Sequence, residues 1–135
     1  MTITLNRSSA SLAAEFAGKQ TDAVAQINQA VGQVRTRFAT DIPFQDGAYI
    51  SKLEEARSYA ALVSPPADLT DYPLIAAEIG ITGEDADQIS QIWLNMNVQF
   101  MAALASLETL RLGTVQAIEN ATTTAEITGI LTAFE

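Results

Sequence analysis

The sequence of 135 residues contains no histidine and no cysteine. Histidine is the commonest general base and zinc ligand, and cysteine supplies thiolate nucleophiles, disulfides and sulfur ligands for metals. Their absence excludes Ser-His and Cys-His nucleophile pairs, disulfide bonds and thiolate metal sites. Because only scattered carboxylates remain for catalysis, we expect no catalytic residues, no cofactor and no enzymatic activity.

Basic residues and long apolar runs are also scarce. Seven Lys and Arg residues stand against 16 Asp and Glu residues, which gives a net charge of −9. Such a charge repels phosphate backbones, so we expect no nucleic-acid partner. No apolar run approaches the roughly 18 residues of a membrane-spanning helix, and residues 1–7 carry no signal-peptide block. This pattern predicts a protein made in the cytoplasm, with no membrane partner.

Hydrophobic residues make up 48% of the chain and recur mostly at helical spacings. The sequence therefore predicts a single all-α domain, built as an elongated helical bundle or hairpin. The predicted helices span residues 9–39, with a candidate break near Gly18, then 48–63, 73–80, 83–120 and 124–134. Residues 2–5 alternate polar and apolar side chains, which indicates that residues 1–8 are an extended arm that frays, lies across its own helices or joins a partner's sheet.

Two kinds of local signal set the predicted helix ends. Proline and glycine interrupt helical patterns, and Ser or Thr three residues before an acidic residue caps the start of a helix. The interruptions are Pro43 with Asp46-Gly47 in a loop over residues 41–47, Ser64-Pro65-Pro66, Pro73 at a first helical turn and Gly80 at a last one. The cap candidates are Ser8, Thr82 with Asp85, and Thr123 with Glu126.

The helix predicted over residues 83–120 would be roughly 50 Å long at 1.5 Å per residue. A compact domain of this size has difficulty covering such a helix, so either the domain is an elongated hairpin or another chain covers part of it. Buried polar side chains on its apolar face could fix the register between helices, although solvent exposure explains most of them equally well. These are Asn95, Asn97, Gln99, Ser106 and Thr114.

The acidic residues at 84, 85 and 87 could be imagined as a divalent-metal site. A helix N-terminus favours acidic residues in any case, and the calcium-loop spacing with its turn glycine is missing. We therefore predict no metal.

Trp93 falls on the apolar face of the long helix, which favours a place in the core.

Charged residues of the first two helices also have structural interpretations. Glu54 and Glu55 are adjacent on a helix and do not face one another, so we predict a solvated face shared with Lys52 and Arg57. Arg35 and Arg37 end the first helix, where basic residues complement the helix dipole. A partner-binding role for these two arginines is the alternative.

Several short motifs occur in a recognisable order over roughly residues 31–131. They are Arg35-x-Arg37-Phe38, Ile42-Pro43-Phe44-Gln45, Tyr49-x-x-Lys52-x-x-Glu55-Ala56-x-x-Tyr59, Tyr72-Pro73-Leu74 with Glu78, Leu107-Glu108-x-x-Arg111, and Ala117-Ile118-x-x-Ala121. In order and spacing this series resembles small helical proteins and terminal domains of tailed-bacteriophage tails, which accompany tail fibres or the baseplate. The resemblance implies a non-enzymatic virion component or an assembly helper that attaches to a fibre or baseplate protein.

We therefore expect a structural or connector subunit of the virion tail, made in the host cytoplasm and forming a homo-oligomer or a hetero-complex with other tail proteins. Two alternatives stay open: a tail-fibre assembly chaperone absent from the mature virion, and an acidic cytoplasmic regulator that binds a host protein. Apolar helix faces and the N-terminal arm would supply the binding energy. The partner-binding candidates are Ile3, Leu5, Phe44, Gln45, Ile130 and Phe134.

Overall fold

The computed structural model describes residues 7–38 and 45–135, and these residues form five α-helices. The helices are α1 (Ser9–Thr36), α2 (Gln45–Ala60), α3 (Pro73–Glu78), α4 (Ala86–Asn120) and α5 (Thr124–Phe134). Within the described residues there is no β-strand, only an isolated bridge between Ile79 and Gly83. The all-α prediction is confirmed. Residues 1–6 of the predicted arm and residues 41–44 of the predicted loop lie outside the described residues.

Contacts between residues divide the chain into two compact units. Residues 37–104 form the first, which we call the central unit, and residues 1–36 with 105–135 form the second, which we call the terminal unit. Helix α4 is continuous and supplies residues 86–104 to the central unit and residues 105–120 to the terminal unit. In the described part of the chain, no helix is long and apolar enough to cross a membrane.

The central unit packs α2, α3 and the beginning of α4 around one apolar cluster. Its most deeply buried side chains are Ala56, Ile75 and Ile89, each with no exposed area. The rings of Tyr59 and Tyr72 meet edge to face at 5.4 Å between centroids, which closes one side of the cluster. The cluster consists of Ala56, Tyr59, Tyr72, Ile75, Ala86, Ile89 and Trp93. The prediction that Trp93 belongs to the core is confirmed.

The terminal unit packs α1, the last turns of α4 and α5 around a second cluster. Its buried members are Ala23, Ile27, Ile118, Ala121 and Ile127. The side-chain amide of Gln20 on α1 donates to the backbone carbonyls of Ile118 at 3.1 Å and Glu119 at 3.2 Å. These carbonyls lie in the last turn of α4, where no further turn supplies donors, so Gln20 caps that helix end. Helix α5 packs against α1 and, through this cluster, against the end of α4.

The first two helices differ from their predicted bounds. Helix α1 runs unbroken through Gly18 and Gly32, since burial of the side chains between these glycines outweighs a local cost of about 1 kcal/mol per glycine. Helix α2 begins at Gln45 and includes Asp46, so the loop predicted through residue 47 is wrong there. An acidic residue in the first turn meets the positive end of the helix dipole.

Helix α2 also ends about one turn earlier than predicted. It stops at Ala60 instead of residue 63, and Val63 is fully exposed instead of lying on an apolar face. The cause is Pro65, because its ring would clash with the carbonyl of Ala61 in a continued helix and it biases Ser64 away from helical geometry.

The capping box predicted at Thr82 and Asp85 is wrong, because the cap of α4 lies one turn later. Asp85 is itself the cap, because its carboxylate accepts a hydrogen bond from the backbone N–H of Gln88 at 2.8 Å. The Gln88 side chain in turn accepts from the backbone N–H of Glu84 at 2.6 Å, so α4 begins at Ala86.

Four other predicted helix ends are confirmed. The hydroxyl of Ser8 accepts from the backbone N–H of Ser11 at 3.1 Å, and that of Thr123 accepts from Glu126 at 3.2 Å. Pro73 is the first residue of α3, and Gly80 just beyond that helix has a φ of +80°.

Candidate interaction surfaces

The central unit contains a polar network between α2, α3 and α4. The Lys52 ammonium pairs with the Glu78 carboxylate and lies 5.2 Å from the centre of the Trp93 ring. The indole N–H of Trp93 donates to the second carboxylate oxygen of Glu78 at 3.1 Å. Because cation, carboxylate and aromatic ring satisfy one another, this network joins the three helices.

Glu78 stays ionised in this network. Its partial burial alone would raise its pKa, but hydrogen bonds from Lys52, Thr82 and Trp93, with the charge of Lys52, bring the pKa below its ordinary value of 4.5. The carboxylate is therefore a structural anion at neutral pH and not a proton donor.

Glu55 caps α3 from the neighbouring helix α2. Its carboxylate accepts hydrogen bonds from the backbone N–H of Leu74 at 3.0 Å and from that of Ile75 at 3.0 Å. Both donors lie in the first turn of α3, where no earlier turn supplies acceptors. The predicted solvated face is therefore wrong for Lys52 and Glu55, which are partly buried and point at α3, while Glu54 and Arg57 are exposed.

The terminal unit has its own charged network on α1 and α4. Arg111 forms two hydrogen bonds with the Glu108 carboxylate, from Nε at 3.0 Å and from Nη2 at 2.6 Å, and a third with the Asn28 side chain at 2.9 Å. Arg35 also pairs with Glu108. These contacts link α1 to α4 on the surface of the unit.

The network lowers the pKa of Glu108 from 4.5 to about 2. The hydrogen bonds from Arg111 are the largest cause, and they outweigh a smaller desolvation effect that raises the pKa, while Arg35 lowers it further. Glu108 raises the pKa of Arg111 in return. Arg35 thus has a tertiary partner in addition to its place in the last turn of α1.

One of the acidic residues at the start of α4 has a structural role, because Asp85 is occupied as a helix cap. In the described parts of the chain, no group of three or more acidic side chains is placed so that it could hold a metal ion.

A shallow groove lies between α1 and α5 of the terminal unit, with a volume of about 210 Å³, and is lined by Lys19, Asp22, Gln26, Thr124, Thr128 and Leu131 among others. It is smaller than the roughly 300 Å³ at which ligand pockets begin.

The predicted partner-binding residues fall in different places. Ile3, Leu5 and Phe44 lie outside the described residues. Gln45 is the partly buried first residue of α2 in the central unit. Ile130 and Phe134 on α5 pack, partly buried, against the core of the terminal unit, so part of each side chain is used for folding.

Sequence reasoning missed an exposed apolar surface on the middle of α4. Val98 and Met101 are 67% and 53% exposed on one side of the helix, and no residue between Leu94 and Ala117 is fully buried. Met96 is 55% exposed but lies about 200° around the helix from Val98. The helical pattern had placed Met96 on the covered face. A signal was present in the sequence, since Leu94, Val98 and Met101 recur at spacings of four and three, which puts them on one side of a helix.

Comparisons with known proteins were made on both sequence and structure. No protein-family model matches the chain, and no curated protein and no solved structure matches it. Function is therefore inferred from the residues, their geometry and the series of motifs.

Proposed function

We propose that the protein is a non-enzymatic structural or connector subunit of a bacteriophage tail, where it binds fibre or baseplate proteins. The observation that carries the proposal is the exposed apolar side of α4 on which Val98 and Met101 lie, each more than half exposed. Exposed apolar side chains gathered on one element are typical of surfaces that another protein buries. The resemblance of the motif series supplies the bacteriophage setting.

The motifs behind the resemblance also contact one another in space. In the central unit, Lys52 pairs with Glu78, and Tyr59 packs against Tyr72. Phe100 contacts the rings of Phe38 and Tyr49 at 6.3 and 6.0 Å between centroids. In the terminal unit, Arg35 and Arg111 both bind Glu108. Residues of different motifs therefore contact one another within each unit.

Co-expression with the fibre and baseplate proteins encoded beside the chain tests this proposal. We expect the chain to co-purify with one of them in a fixed ratio and to remain bound in high salt, because burial of apolar surface is little affected by ionic screening. Recovery of the chain alone in every combination would contradict the proposal.

A second candidate function rests on the uneven charge of the two units. The central unit has three basic and ten acidic residues, a net charge of −7, and the terminal unit has four basic and six acidic residues, a net charge of −2. A concentrated negative charge favours an acidic regulator that binds a basic host protein. Such a complex would dissociate as salt is raised, which separates this function from the first.

A further inference from the structure

Helix α4 carries a line of apolar side chains within the central unit, which we call the α4 stripe and define as Leu94, Val98 and Met101. Leu94 is partly buried against the central core, and the next two side chains are 67% and 53% exposed. Spacings of four and three residues keep the line on one side of the helix, as in the seam between two packed helices. The stripe therefore has the spacing that the apolar side of a second helix covers.

Charge is distributed unevenly along this line. Residues 88–104 contain no charged side chain, whereas Asp87 lies in the first turn of α4. At 100° per residue, Asp87 is within about 40° of each stripe residue around the helix axis. It is exposed, and no ion pair in the described parts of the chain includes it. The stripe thus continues into an acidic end at the start of α4 and is neutral as far as Leu104.

Neighbouring residues do not neutralise this acidic end. Glu84 is exposed just before α4, and no basic residue occurs between Arg57 and Arg111 in the sequence. Lys52 is already paired with Glu78. A partner that places a carboxylate at this end is repelled, whereas one that places Lys or Arg there gains an ion pair.

Helix dipoles select the direction of a partner helix. An acidic residue such as Asp87 stabilises the first turn of a helix, and basic residues stabilise the last turn. Both preferences are met together in an antiparallel pair, because the last turn of the partner then lies beside the first turn of α4. Asp87 and Met101 are roughly 21 Å apart along the axis, so the partner helix needs about four turns.

We propose that the α4 stripe binds an amphipathic helix of another protein, antiparallel to α4, with a Lys or Arg in its last turn beside Asp87. The apolar side of that helix covers Leu94, Val98 and Met101 and supplies the affinity, while the ion pair fixes the direction. This inference rests on the function proposed above, since it names the kind of segment that a fibre or baseplate protein presents.

Two synthetic peptides of about 20 residues test the proposal without a tail protein. Both carry leucine at spacings of three and four on one side and neutral polar residues elsewhere, and they differ in having two lysines or two glutamates in the last turn. Calorimetric titration into the full chain at low salt measures their affinities. We expect the lysine peptide to bind at least about fivefold more tightly, because it gains an ion pair where the glutamate peptide is repelled.

Variants of the full chain locate the binding site. Val98→Glu should weaken binding of the lysine peptide by at least about tenfold, because a carboxylate would be buried in the contact. Met96→Glu is the matched control, since Met96 is 55% exposed but lies about 200° around the helix from Val98. Asp87→Lys should abolish the preference for lysine, whereas Glu54→Lys, an equal change of charge at an exposed position of α2, should retain it. Circular dichroism checks that the helices remain.

A nitroxide label on the first residue of the lysine peptide reports the direction of binding. We expect it to broaden the NMR signals of residues near Met101 and to leave those near Asp87 sharp. The reverse pattern would overturn the proposal. So would absence of binding, equal affinity of the two peptides, or equal weakening by Val98→Glu and Met96→Glu.

The peptide experiments and the co-expression experiment fail separately. If the lysine peptide does not bind but a fibre or baseplate protein co-purifies with the chain, this inference is wrong and the proposed function stands. If the lysine peptide binds as expected but the chain is recovered alone from every co-expression, the surface is as described and the proposed function is contradicted.

Discussion

Glu55 shows how one side chain fixes the position of a neighbouring helix. It accepts backbone hydrogen bonds at the start of α3, which has no cap of its own, since the Tyr72 side chain makes no capping bond. We predict that Glu55→Ala lowers the free energy of unfolding by about 1–2 kcal/mol, the range found for lost helix caps. Urea denaturation followed by circular dichroism measures the change.

The adjacent residue Glu54 provides the control for this prediction. Glu54 is exposed, so Glu54→Ala should change the free energy of unfolding by less than about 0.5 kcal/mol. If both substitutions lowered the free energy of unfolding equally, the cause would be the loss of a glutamate from the helix. It would not be the loss of the hydrogen bonds that cap α3.

Glu108 gives a prediction that depends on pH. Its pKa is lowered from 4.5 to about 2, with hydrogen bonds from Arg111 as the largest cause. A group whose pKa falls on folding stabilises the protein above its ordinary pKa, and this stabilisation is lost as the pH drops through about 2. We expect an NMR titration to show the lowered pKa, and Arg111→Met to return it toward 4.5 by more than Arg35→Met does. An ordinary pKa in the unaltered protein would contradict the network.

Lys52 and Glu55 mark the limit of sequence reasoning at this scale. Their spacing of three residues places them on one side of α2, and an intrahelical pattern can indicate no more than that. Whether this side faces water depends on where α3 lies, which is tertiary information. The same holds for Arg35, whose partner Glu108 is 73 residues away in the sequence.

At the scale of single elements, two glycines give opposite predictions. Gly80 follows the end of α3 and has a φ of +80°, a backbone conformation in which a residue with a side chain is strained. Gly113 lies inside α4, and a methyl group added there would meet no atom within 4 Å. We predict that Gly80→Ala destabilises the protein by about 1–2 kcal/mol, whereas Gly113→Ala stabilises it by about 0.5–1 kcal/mol.

Thermal or urea unfolding of the two glycine variants measures both effects with the same substitution. Stabilisation by Gly80→Ala would contradict the left-handed turn after α3. Destabilisation by Gly113→Ala would contradict an unobstructed position on α4.

The ends of the helices were predictable where one local signal dominated. Pro73, Gly80 and Thr123 each lie where the sequence predicts a helix end. At the start of α4 two cap candidates compete within four residues, and Asp85 prevails over Thr82 because Gln88 completes the box with it.

At the scale of the whole molecule, the response to salt separates the two candidate functions, because the protein has a net charge of −9. We predict that a complex with a fibre or baseplate protein is retained as sodium chloride is raised, as measured by sedimentation equilibrium, since ionic screening has little effect on buried apolar surface. Dissociation at high salt would show that ion pairs hold the complex together and would favour the acidic regulator.

The all-α class was predictable from hydrophobic spacing alone, but the division into two units was not. The helical pattern marks which residues are apolar on each side of α4, and both Ile89 and Met96 fit it. Only the packing shows that the first is fully buried and the second is 55% exposed. The exposed surface that carries the proposed function therefore became visible at the level of tertiary structure.

We propose that the protein is a part of a virus tail that stays in the mature particle. Quantitative mass spectrometry of purified particles, compared with the infected-cell lysate, tests it most directly. We predict that the protein is present in the particles at a fixed number of copies relative to the fibre and baseplate proteins, and that it stays with the tail when heads and tails are separated. Its presence in the lysate and absence from the particles would contradict the claim and favour a chaperone that leaves before the virion matures.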